Sequence, residues 1–166
     1  MGVKERILVL GYGNPARGDD GLGPALAERL AVLALDDLEI RVDYQLCVED
    51  AMDIGSFEQV VFVDASLNAA PPFLHYRLPE VVTPTVLDTH SISPEALVHL
   101  ARTLFGAKSQ ASVLEIRGYH FEPFTESLSV AAAQNLNAAF LYLKSVLEGH
   151  AEVSAKSVNA VHNCDA

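Results

Sequence analysis

The chain has 166 residues, half of them hydrophobic, and its 22 acidic against 11 basic side chains give a formal net charge of −11. That length suits one domain with a substantial core. The acidic balance argues against nucleic acid or an anionic membrane as partner, and it permits a basic peptide or a metal-bearing one. No apolar run is long enough to cross a bilayer, residues 1–6 lead into the first expected strand without a signal-peptide pattern, and Cys47 and Cys164 match neither a disulfide framework nor a zinc motif. A cytoplasmic protein with no membrane insertion is expected.

Ile7, Leu8, Val9 and Leu10 form a short apolar run, the pattern of a buried strand. It runs into Gly11-Tyr12-Gly13-Asn14-Pro15-Ala16-Arg17-Gly18-Asp19-Asp20-Gly21-Leu22-Gly23. Leu22, Ala25, Leu26, Leu30 and Leu33 then recur as one helix face, with Pro24 suited to the first turn. Strand, glycine-rich turn and helix ordinarily suggest a phosphate cradle, but neither phosphate pattern is met. Ala16 stands where a dinucleotide fingerprint needs its third glycine, and Gly18 is followed by two aspartates where a Walker loop needs Lys and Ser/Thr. Adjacent carboxylates repel a phosphate and suit a cation. One aspartate is expected to cap the helix, which leaves the other for different work.

Leu38 to Cys47 alternates apolar and polar residues and predicts a second strand, followed by a short helix over Glu49–Phe57. Val60-Val61-Phe62-Val63-Asp64 reads as a buried strand ending in a carboxylate, and Phe73–Leu78 as a further strand. Pro79–Ser93 is expected to be largely loop. Ser93-Pro94-Glu95 is a strong helix start, with Gly106 as its end. The last strand falls within Ala111–Tyr119. Ser127 or Ser129 opens a long helix that carries Leu136, Phe140, Leu143 and Leu147 on one face. Residues 150–166 show weak periodicity and are expected to be a flexible tail, which leaves 1–149 as the domain. Strands separated by helices predict an α/β fold with a mostly parallel twisted sheet covered on both faces.

In such folds ligands collect beyond the carboxyl ends of the strands. Asp20 follows the first strand, Asp64 closes the third, and His90 stands in the loop ahead of a helix. Two oxygen donors and one nitrogen donor suit a borderline divalent ion and leave coordination positions open. Each residue also has a plain reading: helix cap for Asp20, turn acceptor for Asp64, solvated side chain for His90. Among the other histidines, His75 lies inside a strand, His99 on a helix surface, and His150 and His162 in or near the tail; His120 follows the last strand and is a candidate neighbour of the site. No serine sits in a G-x-S-x-G elbow.

The sequence resembles the hydrogenase maturation proteases, endopeptidases that process the large subunit of nickel–iron hydrogenases. The resemblance runs through Gly11-Tyr12-Gly13-Asn14, Asp19-Asp20-Gly21-Leu22-Gly23, Val63-Asp64-Ala65, Asp88-Thr89-His90-Ser91, Glu115–Tyr119 and Phe121-Glu122-Pro123, covering residues 5 to 149 in order. It implies a three-layer α/β/α sandwich and removal of a C-terminal peptide from the nickel-loaded hydrogenase precursor by a monomeric, aspartic-type enzyme. It also implies a metal site of Asp20, Asp64 and His90 that reads nickel carried by the substrate, with other divalent metals as substitutes. Asp20 and Asp64 are the catalytic candidates it implies; Gly13, Asn14 and Asp19 shape the loop. Many relatives carry glutamate where Asp20 stands. Two mechanisms stay open: the metal polarises the scissile carbonyl or activates water, or it is a docking contact while Asp20 or Asp64 assists water. The alternative activity is a noncatalytic nickel-checking or assembly protein on the same fold, and a nucleotide-binding module is the third reading.

Overall fold

The computed structural model describes residues 5–81 and 91–149, together with the backbone of 158–159. Five strands carry most of the sheet: β1 (Ile7–Tyr12), β2 (Leu38–Asp43), β3 (Gln59–Ser66), β4 (Phe73–Arg77) and β5 (Gln110–Arg117). The two residues of β6 (Val158–Asn159) add a short sixth strand, in the order β2-β1-β3-β5-β4-β6. β2, β1, β3 and β5 are mutually parallel, whereas β4 runs antiparallel to β5 and to β6. The helices are α1 (Leu22–Ala31), α2 (Asp50–Ile54), α3 (Pro94–Phe105) and α4 (Val130–Glu148).

The period-2 alternation of strand side chains divides the interior into two cores. Val9, Val61, Val63, Leu114 and Ile116 face Leu22, Leu26 and Leu30 of α1 and Leu136, Leu143 and Leu147 of α4. Leu8, Leu10, Val60, Phe62, Ala111 and Val113 point the other way, onto Ile54 of α2 and Leu97, Val98 and Ala101 of α3. The result is one domain of three layers, the expected α/β/α sandwich. Burial of both faces explains why β1 and β3 are continuous apolar runs.

Local signals place most element ends. Ser93 caps α3 by accepting the Ala96 N–H at 3.2 Å, Pro94 occupies the first turn, and Gly106 ends the helix at φ +63°. Ser129, not Ser127, caps α4, accepting the Ala132 N–H at 3.3 Å. β2 stops four residues short of Cys47, where the Asp43 carboxylate accepts the N–H of Tyr44 at 2.8 Å and turns the chain. β6 pairs with β4 at Leu74 and His75, inside the segment expected to be a tail; the rest of that segment lies outside the described residues.

Candidate functional site

β1 pairs with β2 on one side and β3 on the other, so the winding of the sheet reverses between β1 and β3. Open parallel sheets bind ligands at this switch point, beyond the strand carboxyl ends. The chain leaving β1 forms a tight loop there and enters a 3-10 turn at Gly18–Gly21. A side chain on Gly13, whose φ is +141°, would collide with the backbone oxygen of Asp20. One on Gly23 would collide with the carbonyl oxygens of Tyr12 and Val63, so that glycine lets the start of α1 nest between β1 and β3. Asn14 closes the loop: its side chain accepts the Ala16 N–H at 2.9 Å, and its own N–H donates to Asp20 Oδ2 at 2.9 Å.

Neither aspartate caps α1. The N-cap is Gly21, with no side-chain bond. Asp19 reaches across the fold instead. Its Oδ2 accepts the N–H of Tyr119 (2.8 Å), the N–H of His120 (3.0 Å) and the hydroxyl of Ser129 (2.8 Å), while Oδ1 accepts the Ser129 N–H (2.7 Å). Asp19 is fully buried. Burial opposes its charge, but the bonds from Ser129, Tyr119 and His120 outweigh it and hold the carboxyl below its ordinary value. Asp19 is therefore a fixed anion that ties the β1–α1 loop to the loop between β5 and α4.

Among the described residues, Asp64 has few donors for a partly buried carboxylate. Its Oδ1 accepts the N–H of Ala65 at 2.8 Å, and the Tyr12 hydroxyl donates to the carboxylate. Burial raises its pKa to about 7 against those two bonds, helped by the negative charges of Asp20 and Glu115. Tyr12, Asp64 and Glu115 continue the strand positions that face α3, after Leu10, Phe62 and Val113. Asp64 and Glu115 are register partners across β3 and β5, and the Tyr76 hydroxyl donates to Glu115 Oε1 at 3.3 Å. The Tyr76 hydroxyl is pushed up by burial and by the charges of Glu115 and Glu95. Sequence reasoning passed over Tyr12, Tyr76 and Glu115. The signal was strand parity: polar groups where the α3-facing apolar series should continue.

The structure thus brings Asp20 and Asp64 into one electrostatic neighbourhood at the switch point. His90 lies outside the described residues. Among the described residues, no three His, Cys, Asp or Glu side chains form a group that holds a metal ion. Of the other histidines, His75 is fully buried, His120 is exposed with its N–H on Asp19, and His99 is half-buried on α3. A cleft of about 280 Å³ opens beside the Asp20 loop, lined by residues that include Gly13, Pro15, Glu28, Asp43 and Tyr44.

An acidic rim at the switch point of an α/β/α sandwich is the arrangement in hand, and solved structures with this fold give it a context. The chain is similar to a [NiFe] hydrogenase maturation protease, HycI, from Thermococcus kodakarensis KOD1, with 21% identity, a TM-score of 0.70, and coverage of 87% of this chain and 93% of that one. It is similar to the hydrogenase 2 maturation peptidase from Thaumarchaeota archaeon SCGC_AB-539-E09 at 23% identity and a TM-score of 0.64, covering 87% and 99%. The hydrogenase maturating endopeptidase HybD from E. coli gives 21% identity and a TM-score of 0.64, covering 88% and 94%. No protein-family model and no curated protein matches the sequence. The chain has the fold of the hydrogenase maturation proteases. Among the described residues, no helix is long and apolar enough to cross a membrane.

Proposed function

We propose that this chain is an endopeptidase that removes the C-terminal extension of a nickel-loaded nickel–iron hydrogenase large-subunit precursor. The observation that carries the reading is the partly buried Asp64 at the switch point of this fold, with the charge of Asp20 acting on it. Asp20, Asp64 and His90 would bind the nickel that arrives in the substrate, since two carboxylates and an imidazole suit a borderline divalent ion. Cationic substrate is also what two carboxylates acting on one another in a partly dehydrated setting attract most strongly. Asp64 then has two alternative tasks open to it: holding the substrate's metal, or, free of the metal, taking the proton of the water that attacks the scissile carbonyl. A carboxylate with an affinity for protons near neutrality can take that proton and return it to the leaving amine. The cleft beside Gly13 offers room for the peptide flanking the cut. The enzyme would act as a cytoplasmic monomer.

Incubation with nickel-loaded and nickel-free precursor tests the reading. The expected result is cleavage of the nickel-loaded form alone, and its loss in His90→Ala with the melting temperature kept near that of the wild type. Binding of the loaded precursor without cleavage would replace the protease with a nickel-checking protein. Equal cleavage of both precursors would remove nickel recognition from the site.

A further inference from the structure

The loop between β5 and α4 presents an aromatic ring that the fold does not use. Phe124 is 97% exposed, and its backbone sits at φ +62°. Bulky residues rarely adopt this left-handed conformation, and glycine adopts it at no steric cost. A polar side chain would suit the solvent and a glycine would suit the backbone; phenylalanine suits neither.

The surroundings hold the strain in place. Thr125 N–H donates to Ala16 O at 3.0 Å, Gly18 N–H donates to Thr125 O at 2.6 Å, and the Arg17 guanidinium donates to Phe121 O at 3.3 Å. The Asp19 carboxylate grips the same loop at Tyr119, His120 and Ser129. Phe124 is therefore built onto the segment that carries Asp20, and whatever binds the ring is registered against the carboxylate rim.

We propose that Phe124 is a docking anchor that enters an apolar pocket with a basic rim on the folded precursor, beside the segment to be cut. This rests on the endopeptidase reading. Interface anchors are large, often aromatic, and ringed by polar residues; here the exposed Glu122 and Glu126 flank Phe124 in the sequence and outnumber the exposed Arg17 that bonds the same loop, which leaves the surroundings net acidic. The charge of the whole chain selects the occupant. With a net charge of −11, a second copy would be repelled by an acid-rimmed anchor, whereas a basic surface would be attracted.

Phe124→Gly and Phe124→Tyr, compared with the wild type on nickel-loaded precursor, test the proposal. The glycine variant should melt about 2–4 °C higher as the backbone relaxes, while its KM rises about 10- to 100-fold and kcat holds. The tyrosine variant keeps the ring but buries a hydroxyl in the apolar pocket, so its KM should rise by less than that of the glycine variant. A glycine variant with wild-type KM overturns the proposal, and so does a wild-type dimer that Phe124→Gly converts to monomer. If the wild type binds precursor without cutting it, the endopeptidase reading fails, and the same comparison of Kd by calorimetry decides the anchor. If the wild type neither binds nor cuts, both readings fall.

Discussion

Asp19 and Asp64 are both withdrawn from solvent at the same edge of the sheet, yet their surroundings drive them in opposite directions. Asp19 receives four hydrogen bonds, and its carboxyl is held below the ordinary range. Among the described residues, Asp64 receives one backbone bond and one phenolic bond, faces two other carboxylates, and is raised to about 7. Burial alone does not decide what a carboxylate is for. Donors convert a buried charge into a structural rivet, and their scarcity leaves one that seeks a proton or a cation.

The largest expected effect is on chemistry. Asp64→Asn should lower precursor cleavage about 10²- to 10⁴-fold, the range of a lost acid–base group. The same change should leave stability unchanged or improve it, because it removes a poorly supported charge. Single-turnover cleavage and urea unfolding on the same preparations check both halves. A marked loss of stability in Asp64→Asn would erase the contrast with Asp19.

Asp19→Asn should behave in the reverse sense. The amide keeps the shape but turns one acceptor into a donor, facing either the Ser129 N–H or the cluster of Tyr119, His120 and Ser129 Oγ. Losing a charge-assisted bond and stranding a buried donor costs about 3 kcal/mol, which for a chain of this size lowers the melting temperature by about 6–12 °C. Cleavage falls as a consequence, because the loop that carries Asp20 is pinned through Asp19. Partial rescue of cleavage by lowering the assay temperature would fit this order of cause. An unchanged melting temperature would contradict it.

The different legibility of the two aspartates follows from where their partners lie. The sandwich could be read because its signals are local: apolar runs for β1 and β3, the Leu22–Leu30 face of α1, and the Ser93, Pro94 and Gly106 punctuation of α3. Strand ends were harder. β2 was expected to reach Cys47, and only the bond from Tyr44 to Asp43 shows why it stops. Asp20 and Asp64 were legible as carboxylates at the carboxyl-end rim of the sheet, although Asp20 sits in the turn after β1 and β3 runs past Asp64 to Ser66. The work of Asp19 was not legible. Its partners are 100 to 110 residues away, and a nearby helix start made capping the natural expectation. The two residues of β6 carry too little pattern to announce a strand.

His75 supplies the smallest effect and the sharpest use of the comparison, since it is buried, well bonded and titratable. Its ring bonds the Tyr142 hydroxyl and the Ser112 hydroxyl, each at 2.9 Å, and burial lowers its pKa to about 4. Both hydroxyls can accept, so the cost of protonation is dehydration of the cation and not a missing partner. An unfolded chain takes up a proton at this histidine near pH 6.5, and the folded one refuses it until about 4. Stability from this group is therefore complete above pH 6.5 and declines as pH falls through the window, by at most about 3 kcal/mol. Asp64 works with the opposite sign. The folded protein binds its proton up to about 7, the unfolded one only near 3.8, so stability falls as pH rises through almost the same window. In metal-free protein between pH 4.5 and 7 the two trends oppose each other, and each single variant should expose the other. Asp64→Asn should become less stable with acid, and His75→Gln less stable with rising pH. Asp19 does not interfere, because its lowered pKa puts its own loss of stability below this range. Melting curves in chelator across that interval make the measurement. Parallel pH profiles for the two variants would mean that neither buried group titrates as its surroundings require.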